Sequence, residues 1–216
     1  MARITAVRES HGLDLELLMV DDNSRDGTVE AVEASGLPWA RVLVRTTERG
    51  LATAVVHGFQ NASHDTIVVM DADLSHPPEA IPAMLAALDS GAEFVVGSRF
   101  CPGGSTDAEW TLARRLNSRF ATILARPLTS ISDPMSGFFA FRRNLLDRAG
   151  PLDPLGYKIS LEVLVRAGCT HVAEVPIHFT DRSKGTSKLD WSVRGDYIRH
   201  LVRLMRAKGR KSGRTP

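Results

Sequence analysis

The stretch Thr66-Ile-Val-Val-Met-Asp-Ala-Asp-Leu-Ser-His-Pro-Pro78 restricts the fold most. A short apolar run stops abruptly at two carboxylates one residue apart. Such a run reads as a buried strand, and Pro77 and Pro78 end it and lead into a helix near Glu79. The strand therefore delivers Asp71 and Asp73 to its C-terminal end, the end at which open α/β sheets bind ligands. Two adjacent carboxylates repel each other unless a cation lies between them, and hard oxygen ligands suit Mg²⁺ or Mn²⁺. Taken alone, D-x-D is also an ordinary turn sequence.

The chain has 216 residues, 43% hydrophobic and 24% charged, which fits one globular domain with a real core. The net charge of +2 hides an asymmetry: from Ser192 onward there are eight Lys/Arg and one Asp. The basic excess belongs to the tail. Two distant cysteines, Cys101 and Cys169, make neither a C-x-x-C nor a disulfide framework, which is the pattern of a reduced, cytosolic-side protein. No run is long and apolar enough to span a bilayer, and Met1–Arg8 lacks a signal-peptide core. Membrane contact is then expected to be peripheral or through a partner.

Read in order, residues 2–10 form a helix end, 13–20 a strand, 21–28 a loop and 28–35 a helix. Strand 41–45, helix 50–61, strand 66–70, helix 79–90 and strand 93–96 follow. Strands alternating with helices at this spacing predict a mainly parallel, doubly wound sheet. In the second half, 108–124 is a helix, 132–139 a turn feeding a short strand, and 159–167 a helix. Residues 172–179 form an edge strand, because Pro176 cannot donate to a ladder. Residues 181–188 are a basic loop and 191–205 an amphipathic helix. The division is a main domain over 1–190 and a basic helix with its tail over 191–216.

Asp21-Asp-Asn-Ser-Arg-Asp-Gly-Thr28 passes for a calcium loop by spacing, but the apolar run Leu15–Val20 before it reads as a strand, where an EF-hand needs a helix. Asp26 or Thr28 suits a helix cap with Gly27 in the turn, which leaves Asp22 free to accept hydrogen bonds from a nucleobase. His76, beside two prolines, reads as structural or solvent-facing, and Glu162 as a structural pair rather than an acid. Arg114, Arg115 and Arg119 share a helix. A solvated face and a landing site for an anionic acceptor both fit them, with Arg115 the preferred contact. The basic C-terminal helix either packs on the domain or lies in the headgroups of an anionic membrane. Nucleic acid is not an expected partner, since the tail has neither interleaved aromatics nor a reading motif.

Together the two acidic strand ends resemble the family 2 glycosyltransferases, whose nucleotide-sugar domain carries V-D-D-x-S-x-D-G-T and then D-A-D. Here these read Val20–Thr28 and Asp71-Ala72-Asp73. Met70–Pro78, Gly97-Ser98-Arg99, Asp133-Pro-Met-Ser-Gly-Phe-Phe139 and Asp181-Arg182 through Gly185-Thr-Ser-Lys188 are similar to the dolichol- and polyprenol-phosphate mannose synthases. The resemblance runs from about residue 13 to 190. It implies a GT-A-like fold and an inverting transfer of mannose from GDP-mannose to a dolichyl or polyprenyl monophosphate. Val20 and Asp22 would touch the base or ribose. Asp71, Ala72 and Asp73 would hold the metal and diphosphate, and Arg99, Arg182 and Lys188 would meet phosphates. Asp73 and Arg99 would be the catalytic pair.

The chemistry agrees, because a metal and fixed cations stabilise a departing diphosphate. A lipid phosphate is already a nucleophile and needs no general base. A single displacement inverts the anomeric carbon. The resemblance also implies work at the cytosolic face of a membrane, at its anionic surface or through a membrane-anchored partner subunit. One departure stands out. The family's first strand, ending in P-x-Y-N-E, is absent, so the sheet should lack a central strand and show two unsatisfied edges. UDP-glucose-dependent transfer to the same lipid, and an inactive nucleotide- or membrane-binding remnant, are the competing readings.

Overall fold

The computed structural model describes residues 1–107, 112–153, 158–180 and 191–212. In chain order the elements are α1 (Ala2–His11), β1 (Leu17–Asp21), α2 (Thr28–Glu33), β2 (Ala40–Val44), α3 (Leu51–Asn61) and β3 (Thr66–Val69). A single 3₁₀ turn, Pro78–Ala80, leads into α4 (Ile81–Asp89), followed by β4 (Phe94–Ser98), β5 (Ser105–Thr106), α5 (Leu112–Ala125) and β6 (Phe139–Arg142). The chain continues with α6 (Asn144–Ala149), α7 (Ile159–Ala167), β7 (Val172–Pro176), β8 (His178–Phe179) and α8 (Trp191–Ser212).

The central sheet runs β3-β6-β4-β7. β4 and β7 are parallel, whereas β6 lies antiparallel between β3 and β4. β1 and β2 form a separate parallel pair, and β5 and β8 another. Helices cover both faces, which makes the interior strands apolar on both sides. Side chains alternate accordingly. Phe94, Val96, Phe139 and Phe141 join one core with residues of α3, α6, α7 and α8. Val95, Phe138 and Ala140 join a second core with Ile81, Met84 and Leu88 of α4. In the first core the rings of Phe94, Phe139 and Phe141 stack at 5.5–6.1 Å, and Phe59 meets Phe141 edge-on at 5.4 Å.

The α/β alternation expected from the sequence is present, with instructive shifts. The first strand begins at Leu17 because Gly12, in the left-handed conformation, closes α1 and the Leu13 N–H bonds back to the Arg8 carbonyl. The expected strand over 172–179 divides into β7 and β8. Pro176 ends the pairing with β4, and the Ile177 N–H turns to the Ser98 carbonyl. α8 is not a detached appendage: Leu201 and Leu204 are buried in the main core and Tyr197 packs against it. Cys101 and Cys169 are both free thiols.

Candidate active site

Two acidic loops follow β1 and β3. In the first, Asp21 is buried and accepts the Ser24 N–H, while Asp26 accepts the Thr28 N–H and hydroxyl at the start of α2. Gly27 takes φ 88°, the turn into that helix. Asp22 is differently placed from the sequence expectation of a free acceptor. Its Oδ1 receives Nε and Nη2 of Arg45 at 2.7 and 2.5 Å, and its Oδ2 receives the Gly50 N–H at 2.8 Å. Burial opposes its ionisation, but the Gly50 and Arg45 bonds outweigh that and hold the carboxyl below its ordinary range. Arg45 is itself buried, extends the β1–β2 ladder through its N–H to the Asp21 carbonyl, and donates to the Gly50 carbonyl at 3.1 Å. Sequence reasoning missed it. The available signal was an arginine closing the apolar run Val42–Val44, beside the strand that ends in Asp21-Asp22.

In the second loop the Asp71 N–H donates to Nδ1 of His76 at 3.1 Å. That ring is buried between Phe138 and Phe179, with centroids 5.3 and 5.4 Å away. Nδ1 accepts, so the neutral ring carries its proton on Nε2, and burial lowers the pKa in favour of that neutral form. His76 is thus the structural residue expected, and its task is to fix where Asp71 leaves the strand. Asp73 accepts the Ser75 N–H at 3.0 Å and the Ser75 hydroxyl. Leu74 between them sits at φ 65°. Among the described residues the positive-φ non-glycines are Asn23, Arg25 and Leu74, all in the two acidic loops. Such strain persists where the surroundings dictate the backbone, as at ligand sites.

The turn 132–137 closes over Asp71. A Cβ on Gly137 would lie 3.4 and 3.6 Å from the two Asp71 carboxylate oxygens, so the backbone passes close beside that carboxylate. Several bonds hold the turn in place. Arg99 grips the fully buried Asp133 with Nε and Nη2, each at 2.7 Å, and with its own N–H at 3.1 Å. Its guanidinium also lies over the rings of Phe100 and Phe179. The Ser136 hydroxyl donates to the Gly97 carbonyl at 2.7 Å, and the Ser160 hydroxyl donates to the Ser136 carbonyl at 3.1 Å. Lys158, at the start of α7, donates Nζ to the Met135 carbonyl at 3.2 Å. Burial and the like charge of Arg99 push this ammonium down to about 7, against the pull of Asp133 and Asp71. Sequence reasoning did not single out Lys158, and it gave Asp133 no role beyond opening the quoted motif.

Of the residues expected at the site, Val20, Asp71 and Ala72 line one cavity of about 730 Å³, with Gly137 beside them. Arg99 holds Asp133 in the supporting turn. The side chain of Arg115, on α5, and both Arg182 and Lys188 lie outside the described residues. Glu162 is buried within α7, with Oε1 accepting the Asp153 N–H and Oε2 unpartnered, and burial raises its pKa. Among the described residues no cluster of three or more His, Cys, Asp or Glu could enclose a metal. Asp71 and Asp73 still fit one, because Mg²⁺-type ions are held by one or two carboxylates and fill the rest of their shell with water and substrate phosphates.

The site thus brings together a strand-borne Asp71, a backbone turn packed beside it, and an α/β sheet with helices on both faces. Residues 2–150 match the model of the glycosyl transferase family 2, and the chain belongs to that family. It is 48% identical over 196 residues to a dolichol-phosphate mannosyltransferase of Mycosarcoma maydis, covering 88% of this chain and 67% of that protein. It is 42% identical over 203 residues to the Pyrococcus furiosus dolichol-phosphate mannosyltransferase, covering 92% of this chain and 57% of that one. The chain therefore spans between about half and two thirds of the length of these relatives. The fold is shared with glucosyl-3-phosphoglycerate synthase of Mycobacterium tuberculosis, solved with Mn²⁺ and UDP-glucose. That likeness has TM-score 0.66 and 23% identity, over 96% of this chain and 75% of that one.

Proposed function

We propose that this chain carries out the inverting transfer of mannose from GDP-mannose to a dolichyl or polyprenyl monophosphate. The observation that carries the reading is Asp71 at the end of β3, beside the Gly137 turn and lining one cavity with Val20 and Ala72, with Asp73 two residues further on. The relatives named dolichol-phosphate mannosyltransferase, matched over about nine tenths of this chain, supply the substrates. Asp71 and Asp73 hold Mg²⁺ or Mn²⁺, which contributes positive charge for the diphosphate. A phosphate oxygen of the acceptor attacks the anomeric carbon, and the bond to the nucleoside diphosphate breaks on the opposite face. No general base is needed, in keeping with His76 being buried and neutral. The Arg99–Asp133 pair and Lys158 position the turn that borders the sugar, while Arg115, Arg182 and Lys188 are the candidates for phosphate contacts.

The acceptor is a lipid, and no described helix is long and apolar enough to cross a membrane. Large apolar side chains nevertheless stand exposed on two helices: Phe120 and Ile123 on α5, and Ile198, Val202 and Met205 on α8. The Tyr197 hydroxyl bonds the Ala121 carbonyl at 2.7 Å, and Lys208 bonds the Pro127 and Leu128 carbonyls, so the two helices are neighbours. Arg199, Arg203 and Arg206 accompany them. This surface suits peripheral binding to an anionic membrane at the cytosolic face.

The test is transfer of radiolabelled sugar to a short polyprenyl phosphate with Mn²⁺ or Mg²⁺, with GDP-mannose and UDP-glucose supplied in parallel. Transfer from GDP-mannose alone is expected. Transfer only from UDP-glucose would replace the donor. Failure to bind either nucleotide sugar by calorimetry with metal present would leave a non-catalytic reading.

A further inference from the structure

β5 and β8 are short strands that form a ribbon of their own, with Ser105 opposite His178 and Thr106 opposite Phe179. A two-stranded ribbon is marginal by itself and depends on what its faces touch. Successive residues point to opposite faces, so Phe179 and His178 look in opposite directions. The inner face rests on the active site. Phe179 is buried, meets the His76 ring edge-on at 5.4 Å and has the Arg99 guanidinium over it at 5.2 Å. The next N–H, that of Thr180, donates to the Ser75 carbonyl at 3.2 Å. β8 is thereby fastened to the loop that carries Asp71 and Asp73.

The outer face carries three side chains that the reaction described above does not use. Nδ1 of His178 lies 2.8 Å from the Ser105 hydroxyl oxygen, and Nε2 lies 2.9 Å from Oδ1 of Asp107. A carboxylate only accepts, so Nε2 carries the proton and Nδ1 accepts the Ser105 hydroxyl. One imidazole thus ties β8 to two points of the neighbouring segment. Ser, His and Asp in a row invite comparison with a hydrolytic triad, but the surroundings differ. The N–H groups of Ser105 and Asp107 are both bonded to β8 and leave neither for an oxyanion. The imidazole is also 57% exposed. The geometry is that of a clasp.

Its position gives it a task. The entrance to β5 is fixed by backbone packing: the Gly104 N–H donates to the Cys101 carbonyl at 2.9 Å, and a Cβ on Gly104 would fall 2.5 Å from the Ser98 carbonyl oxygen. The exit is held by the Asp107 N–H on the Phe179 carbonyl at 3.2 Å and by the clasp. α5 follows from Leu112 and carries Arg114, Arg115 and Arg119 toward its start. Its far end is anchored separately, by Ala125 in the main core and by the Tyr197 hydroxyl on the Ala121 carbonyl. The clasp therefore stands where the chain leaves the active-site ribbon for the arginine-bearing end of α5.

We propose that His178 is a positioning residue for the anionic acceptor. It holds Asp107 to β8, and β8 is held to Ser75, so it sets where Arg115 and Arg119 stand relative to the Asp71–Asp73 loop. The inference rests on the reading of a phosphate-bearing acceptor given above. The donor side does not depend on the clasp, because Phe179 and Thr180 meet His76, Arg99 and Ser75 from the opposite face of the ribbon.

The test compares the full chain with His178→Ala and His178→Gln. Calorimetry measures binding of GDP-mannose with Mn²⁺, and then of a short polyprenyl phosphate to the chain saturated with GDP and Mn²⁺. Transfer kinetics and amide hydrogen exchange accompany it. In His178→Ala, acceptor affinity and kcat/KM for the acceptor should fall about tenfold, while the donor Kd stays within roughly twofold. Exchange should quicken toward the start of α5 and stay unchanged in β7. His178→Gln offers an N–H to Asp107 and an oxygen to Ser105, so it should recover most of the loss. Equal losses for donor and acceptor, or faster exchange throughout the sheet, would show that His178 only supports the fold. Unchanged acceptor binding in His178→Ala, or no recovery in His178→Gln, would also overturn the positioning role. A parent chain that binds polyprenyl phosphate but transfers no sugar sinks the proposed reaction and leaves the binding and exchange readouts in force. A parent chain that binds no polyprenyl phosphate overturns both.

Discussion

The two acidic loops carry the same kind of side chain on the same kind of strand end, and the protein holds them in different ways. In the first, a buried cation neutralises the key carboxylate: Arg45 and the Gly50 N–H occupy both oxygens of Asp22. In the second, the loop is shaped by neutral groups. His76 fixes the Asp71 backbone, Ser75 takes one Asp73 oxygen, and Gly137 admits the turn beside Asp71. A carboxylate already matched by a guanidinium organises the protein around it. In the second loop the described bonds come from hydroxyl, amide and imidazole groups, and it is here that the proposed function sets a cation. Under the proposed function, the first loop would then be a scaffold on the base-binding side, and the second would hold the metal and diphosphate.

The sharpest way to break this contrast is Asp73→Ala. If the second loop supplies the cation site, transfer should fall about a thousandfold, on the order of 4 kcal/mol of barrier, with thermal stability little changed. A rate within tenfold of the parent enzyme would remove Asp73 from the chemistry. Arg45→Met tests the other side by stability. It leaves Asp22 without its guanidinium, and because Asp22 keeps contact with water the loss should be about 2–3 kcal/mol in urea unfolding, below the full range for a buried pair. Asp22→Asn in the Arg45→Met background should recover part of that loss. Strict additivity of the two changes would mean that the pair does not hold the first loop.

Lys158 sharpens the comparison through pH. With Arg99 it is a cation near the second loop, yet its ammonium is pushed down to about 7 from an ordinary 10.5. The sign follows from proton counting. Between pH 7 and 10.5 the unfolded chain keeps the Lys158 proton while the folded chain releases it, so this group makes stability rise with pH across that window. Below 7 both states are protonated and its effect is flat. Lys158 keeps part of its surface in water. We therefore expect the stability of the parent minus that of Lys158→Met to rise by about 1–2 kcal/mol from pH 7 to 10. Parallel stability curves would show that Lys158 titrates normally.

The sequence made the second loop legible and only half of the first. Asp71 and Asp73 stand out because an apolar run ends on them and prolines follow, all local signals. Arg45 lies 23 residues from Asp22 and meets it only after β1 and β2 pair in register. The Arg99–Asp133 grip likewise depends on a contact across 34 residues, so sequence shows Arg99 as a candidate phosphate ligand but not as a clamp on the supporting turn. The α/β alternation was legible from periodicity. β6 lying antiparallel between β3 and β4 was not, because a short apolar strand carries no mark of direction. α6 was passed over because six residues are too few to show a helical period. The missing strand pairing on β1 and β3 was expected from the resemblance. The residues of α1, α4 and α3 that line the cavity between them are seen only in the packed structure.

The smallest expected effect separates the loops by their backbones. Asn23 at φ 57° is a residue that tolerates the left-handed region, whereas Leu74 at φ 65° is not, and it is 56% exposed, so packing gives it little in return. Leu74→Gly relieves roughly 1–2 kcal/mol of backbone strain and adds up to about 1 kcal/mol of unfolded-chain entropy. A net gain of about 0.5–1 kcal/mol is expected, and Asn23→Gly should stay within about 0.5 kcal/mol of zero. The same Leu74→Gly protein should transfer sugar more slowly, because a glycine lets Asp73 leave the geometry that Ser75 and the left-handed turn impose. Chemical denaturation paired with initial rates checks both halves. If Leu74→Gly gains stability at full activity, the strain in the second loop is incidental to Asp73. If it loses stability, the side chain of Leu74 is held by contacts that outweigh its backbone, and the two loops differ less than their carboxylates suggest.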